Sequence, residues 1–179
     1  INQNKFGKTF FHLGPPRDSS LFEKQKNNKT EIDKCDFILC TGLLDNHEDD
    51  LSYYKNFLKN HISKKLICTN PDLIVHKGNI EELCAGSVAK VFEELGGKVI
   101  YYGKPYKEIY KNCFDKSEKV LAIGDNLRTD IKGANNLNID SIFITEGVHR
   151  QEIGDSKKLD ALLTKYKVKT NFFQKELTW

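Results

Sequence analysis

The stretch Val120–Asp130, VLAIGDNLRTD, decides the fold. Its first four residues are apolar and suit a short buried strand, Gly124 ends the run, and Asp125 stands at the strand's carboxyl end. In open α/β sheets that edge is where ligands bind. Asp130 follows at the start of a segment, roughly Thr129–Leu137, that reads as a helix. Two carboxylates so placed suit one hard cation, because Mg²⁺ takes one or two carboxylates and completes its shell with water and substrate phosphate. A purely structural reading of Asp130 stands beside this one, since Thr129 or Asp130 also suits a helix N-cap. Asp125 interrupts a strand at the ligand edge and is harder to read that way.

Upstream lies Gly103-Lys104-Pro105, between a strand over Lys98–Tyr102 and a helix through about Phe114. Glycine permits close approach of a ligand, and proline suits the first helical turn. A lysine there offers a point charge to an anion or phosphate. The plain alternative is a solvated loop lysine, of which this chain has many.

The same alternation extends over the rest of the chain. Strands are expected at Lys5–Gly14, Asp36–Thr41, Lys65–Thr69, Lys119–Ile123 and Ser141–Thr145. Helices are expected from Leu51, over Glu81–Leu95 with Gly96-Gly97 as its stop, and over Ser156–Tyr166. The polar stretch Lys24–Lys29 reads as a helix end and loop, and the residues after Tyr166 as a loose tail ending in Trp179. Strands alternating with helices argue for an α/β architecture with mainly parallel strands. A soft boundary near Tyr101–Gly103 divides the chain into expected domains 1–100 and 101–179.

Composition bounds the rest. A chain of 179 residues, 39% hydrophobic and 30% charged, is globular in character, and a net charge of +3 is too mild to announce a nucleic-acid binder. No apolar run reaches the roughly 18 residues of a membrane helix, and no signal-peptide pattern opens the chain. The five cysteines, Cys35, Cys40, Cys68, Cys84 and Cys113, form no Cys-x-x-Cys pair. They read as inert buried thiols in a reducing, cytoplasmic setting rather than as zinc ligands. Methionine is absent and the first residue is Ile1, so the chain is expected to be part of a longer or processed product.

In combination these motifs resemble the haloacid-dehalogenase-like (HAD) hydrolases. Gly-Lys-Pro, followed some twenty residues on by strand, Gly-Asp-x-x-x-Thr-Asp and helix, looks like that superfamily's third and fourth motifs. Asn70-Pro71-Asp72 resembles a cap-domain signature of its class IIA, the nitrophenyl-phosphatase-like and sugar-phosphatase-like group. Ala85-Gly86-Ser87, Leu95-Gly96-Gly97, His12–Asp18 (HLGPPRD) and the final Leu-Thr-Trp agree in order. The resemblance implies an α/β cap domain followed by the C-terminal half of a Rossmann-like core. It implies Mg²⁺-dependent hydrolysis of a small phosphorylated metabolite through an aspartyl-phosphate. Asp125 would be a direct Mg²⁺ ligand, and Asp130 would orient the metal's waters or other ligands. Lys104 would hold the phosphoryl group and the nucleophile's charge. Asn126, Arg128 and Thr129 would shape the loop, and Asn70 and Asp72 would lie near the substrate entrance.

The family's nucleophile is the first aspartate of an Asp-x-Asp pair, and no two aspartates of this chain are separated by one residue. Glu48–Asp50 comes nearest and reads as surface charge before a helix. Three expectations follow. The chain alone has no meaningful turnover. The strand ending at Asp125 exposes an unpaired apolar edge, to be covered by self-association or by a complementing N-terminal segment. Residues 1–100 fold better than 101–179. The competing expectation is a non-enzymatic binding or assembly module from a split or degenerate gene. A nucleotide-binding module ranks lower, because no Gly-x-Gly-x-x-Gly or phosphate loop occurs.

Overall fold

The structure, a computed structural model, describes residues 6–178 except 79, 112, 116, 154 and 155. The chain forms two compact units, residues 1–102 and 103–179.

The first unit is built on four parallel strands in spatial order β1 (Phe10–Leu13), β2 (Phe37–Cys40), β3 (Lys65–Cys68) and β6 (Lys98–Tyr101). Both faces are covered, so β2 reads Phe-Ile-Leu-Cys with every residue buried. Ile38, Cys40, Leu66 and Cys68 point to one face. There they meet Tyr54 and Leu58 of helix α1 (Leu51–Leu58) and Val88, Ala89 and Phe92 of helix α2 (Ala85–Glu94). Phe37, Leu39 and Ile67 point to the other, where Phe6, Phe10 and Phe22 form a small aromatic core. Period-two alternation along each strand makes this division.

Several expected boundaries move. The N-terminal strand is confined to Phe10–Leu13, and Lys5 lies outside the described residues. Pro16–Asn28 winds as 3₁₀ turns interrupted at Phe22, rather than closing as a helix end and loop. The helix expected over Glu81–Leu95 starts only at Ala85. Its first residues instead form β5 (Ile80–Leu83), paired antiparallel with β4 (Ile74–Lys77) in a hairpin the sequence reading missed. The Lys77–Glu82 ion pair and the His76–Glu81 contact tie this hairpin. Glutamates that look helical in isolation are thus cross-strand partners.

The second unit holds a three-stranded parallel sheet, β7 (Leu121–Gly124), β8 (Asp140–Ile144) and β9 (Phe172–Gln174). The loose tail is therefore corrected, since Phe172–Gln174 pairs with Ile142–Ile144, and Trp179 lies outside the described residues. The helix after Pro105 is a single turn, α3 (Lys107–Tyr110), and does not reach Phe114. Helices α4 (Lys132–Leu137) and α5 (Ser156–Tyr166) complete the unit. Its core is Leu127, Ile131, Phe143, Leu159, Leu162 and Val168. Among the described residues no strand pairs the second side of β7, where Leu121 and Ile123 are 45% and 39% exposed.

Candidate functional site

The site grows from the carboxyl end of β7. Asp125 leaves the sheet directly after Gly124, and the chain turns through Leu127–Ile131 in a wide π-type coil before α4. Such coils recur at functional sites. The cap of this turn is Asn126, not Thr129 or Asp130 as the structural reading allowed. The Arg128 N–H donates to the Asn126 side-chain oxygen at 2.9 Å. Asp130 is thereby free of capping and turns back, its Oδ2 accepting the Asn126 N–H at 3.1 Å.

Lys104 reaches this carboxylate across 26 residues of sequence, with Nζ 2.5 Å from Asp130 Oδ1. The Lys104 side chain is half exposed and that of Asp130 nearly buried, so the pair spans from the surface inward. Asp125 is held by the loop following β8, where the Val148 N–H donates to its Oδ2 at 3.0 Å. The carboxyl ends of two adjacent parallel strands thus supply the site, as expected for this class of sheet.

Two glycines give the carboxylates room. A methyl group on Gly124 would fall on the Asp130 carboxylate, and one on Gly147 would fall on that of Asp125. Each side chain lies in a cradle that any Cβ would fill. Thr129, 4% exposed, has its hydroxyl buried without a hydrogen-bond partner among the described residues.

Asn70 and Asp72 belong to the first unit. Asn70 follows β3, and its side-chain oxygen accepts the Asp72 N–H at 3.2 Å. The Gly86 N–H donates to the Asp72 carbonyl at 3.1 Å, and Gly86 leaves no space for a Cβ against Pro71 and Asp72. Ser87 Oγ donates to the Leu73 carbonyl at 2.6 Å. The motifs Asn70-Pro71-Asp72 and Ala85-Gly86-Ser87 are therefore one packed feature. Asn70 also lines a cavity of about 770 Å³ with Arg17, Thr41, Asp45 and Cys84, at the carboxyl ends of β2 and β3.

All five cysteines are free. Burial pushes the Cys68 thiol up to about 12 and raises Cys35, Cys40 and Cys84, so these behave as apolar groups. Cys84 is half-buried and Cys113 exposed, which corrects the reading of all five as buried.

Mg²⁺ is the group to test against this donor set. Among the described residues no three His, Cys, Asp or Glu side chains converge on one point. A pair of carboxylates beside an ammonium fits an ion that keeps waters and takes a substrate phosphate oxygen, which is the habit of Mg²⁺. Asp125 and Asp130 would hold it.

Residues 101–167 match the HAD-hydrolase-like family model. Ribonucleotide monophosphatase NagD of Escherichia coli K12 is 32% identical over 96 residues, which are 51% of this chain and 38% of NagD. A haloacid-dehalogenase-like hydrolase from Brucella suis superposes with a TM-score of 0.71 at 31% identity, over 79% of this chain and 59% of that one. The 4-nitrophenylphosphatase of Thermotoga maritima superposes with a TM-score of 0.65 at 24% identity, over 97% and 65% of the two chains. This chain thus spans less than two thirds of each of these relatives. From its motifs, its parallel sheets and these likenesses, the chain is similar to the haloacid-dehalogenase-like hydrolases, whose family model its residues 101–167 match.

Proposed function

We propose that this chain carries the metal- and phosphate-holding part of a Mg²⁺-dependent phosphomonoesterase acting on a small phosphorylated metabolite. Residues 103–179 are read as the C-terminal half of the catalytic core, and residues 1–102 as the cap. The observation that carries this reading is the Lys104–Asp130 pair beside Asp125, at the carboxyl end of β7.

The roles follow from charge and position. Lys104, whose side chain is half exposed, offers its ammonium to the phosphoryl oxygens, and a fixed positive charge stabilises the transferring group. Asp125 binds the metal directly. Asp130, anchored by Asn126 and Lys104, orients the remaining ligands. Mg²⁺ held by Asp125 and Asp130 would supply positive charge to neutralise the phosphate oxygens. Asn126 shapes the loop and borders the phosphate position. Asn70 and Asp72 are read as substrate-binding residues of the first unit, where Asn70 lines the cavity.

These 179 residues contain no Asp-x-Asp, the pair that supplies the nucleophile in the family the chain resembles. Attack on phosphorus therefore falls to a complementing segment, and the unpaired edge of β7 with exposed Leu121 and Ile123 is where a further strand would pair. The same lack of Asp-x-Asp favours a second reading, in which the chain is a non-enzymatic binding or assembly module. Five free cysteines suit a reducing cytoplasm, and no helix among the described residues is long and apolar enough to cross a membrane.

Calorimetric titration of Mg²⁺ in the presence of orthophosphate tests the site. One binding event that disappears in Asp125→Asn and in Asp130→Asn is expected. A wild-type chain that binds no Mg²⁺, or binds it equally in both variants, overturns the reading.

A further inference from the structure

His149, Glu152 and Lys165 stand against the loop 125–130, although the sequence reading singled out none of them. His149 is 3% exposed. The Leu127 N–H donates to its Nε2 at 3.2 Å. A nitrogen that accepts carries a lone pair, so the ring bears its proton on Nδ1, which donates to Glu152 Oε1 at 2.6 Å. The other Glu152 oxygen accepts from Lys165 Nζ at 2.7 Å, and the Tyr166 hydroxyl donates to Oε1 at 3.3 Å. The Tyr166 ring stands edge-on to the imidazole at 4.9 Å and lies beneath the Arg128 guanidinium at 5.4 Å.

The residue before His149 is Val148, whose N–H holds Asp125. The segment after β8 therefore grips the loop at two points, through a backbone donor on the Asp125 carboxylate and a ring acceptor on the Leu127 N–H. Leu127 is fully buried, so its N–H has no water to turn to once that acceptor is lost. Leu127 also lies between the two carboxylates in sequence, so a shift of its backbone moves both.

We propose that His149, held in its Nδ1-protonated tautomer by Glu152, is a positioning residue that sets Asp125 and Asp130 at the spacing Mg²⁺ requires. The inference rests on the reading of those carboxylates as a metal site. A histidine buried only for its volume needs no pair of aligned partners, whereas a carboxylate on one nitrogen fixes what the other can do. Glu152 is in turn anchored by Lys165 and Tyr166, which brings α5 into the support of the loop.

The test uses the whole 179-residue chain and Mn²⁺ as the probe, with free ion counted by electron paramagnetic resonance. Wild type, Asp125→Asn, His149→Phe and His149→Gln are compared. Phenylalanine keeps the volume without an acceptor, and glutamine returns a carbonyl oxygen near the Nε2 position. His149→Phe is expected to weaken Mn²⁺ binding about tenfold and His149→Gln to stay within about threefold of wild type, with unchanged far-ultraviolet circular dichroism. In ¹⁵N spectra of the wild type, His149 Nε2 should be the unprotonated nitrogen. Mn²⁺ binding alike in His149→Phe and wild type, no rescue by glutamine, or a proton on Nε2 overturns the inference. Wild type and Asp125→Asn binding alike overturns the metal-site reading and this inference with it. A wild type that binds through Asp125 while His149→Phe matches it overturns the inference alone.

Discussion

Lys104 Nζ and Asp130 Oδ1 lie 2.5 Å apart although 26 residues separate them in sequence. The contact joins the loop after β6 to the turn after β7, and it brings a cation and an anion to one place at a sheet edge. Buried or half-buried pairs of this kind are retained more for placement than for net stability. Replacing Lys104 with Met removes a cation that competes with Mg²⁺ for Asp130. We expect Mg²⁺ affinity without phosphate to hold or rise, while orthophosphate binding weakens about tenfold for loss of a charge-assisted contact. Paired calorimetric titrations check both halves. A parallel fall in the two would mean that Lys104 serves only to hold the loop together.

Gly124 and Gly147 should not accept alanine. The added methyl of Gly124→Ala meets the Asp130 carboxylate, and that of Gly147→Ala meets Asp125. Each variant is expected to lose Mg²⁺ binding by more than about tenfold, since small displacements of positioned groups cost at least that much. Gly96→Ala is the contrast. Gly96 has φ +90 with nothing within 4 Å, so alanine there costs about 1 kcal/mol of strain and leaves metal binding alone. Metal titration beside thermal melting separates the two classes.

Tyr54 is fully buried in the first unit, and its hydroxyl accepts the Leu44 N–H at 2.6 Å. Burial pushes its phenol up to about 12. Tyr54→Phe keeps the packing but strands the Leu44 N–H, and it should destabilise the first unit by about 1–2 kcal/mol in urea unfolding. The spectral signature of the second unit should be unchanged.

Glu152 gives a pH signature. Its hydrogen bond from Lys165, and then that from His149, holds its carboxyl near 2 instead of the usual 4.5. A carboxyl depressed in the folded state contributes stability above its unfolded value. That contribution is lost as pH falls from about 4.5 toward 2. Melting temperature should therefore fall more steeply over this window in wild type than in Glu152→Gln. Equal slopes would show that the Lys165–Glu152–His149 chain does not form in solution.

What could be read from the sequence divides along physical lines. The parallel strands were legible because strands buried on both faces are continuous apolar runs, as in Phe37–Cys40 and Lys65–Cys68. Lys104, Asp125 and Asp130 were legible because glycine and proline mark the turns that hold them. The hairpin β4–β5 was not, since Glu81 and Glu82 carry helical propensity and only their partners His76 and Lys77 make them strand residues. Strand β9 was hidden for a related reason, because Phe172 and Phe173 are exposed and their pairing with β8 is long-range. His149 escaped notice because a single histidine carries no local pattern. Its only signal was Gly147-Val148-His149 shortly after a strand that ends at the same sheet edge as Asp125.

The central claim is that this chain holds the metal and phosphate but lacks the group that attacks phosphorus. Its most direct measurement is hydrolysis of an aryl phosphate by the purified chain, in Mg²⁺ and in chelator, with Asp125→Asn alongside. The account predicts no Mg²⁺-dependent turnover above that of Asp125→Asn. Turnover that requires both Mg²⁺ and Asp125 would contradict it, and would direct the search for a replacement nucleophile to Asp72 and Asp130.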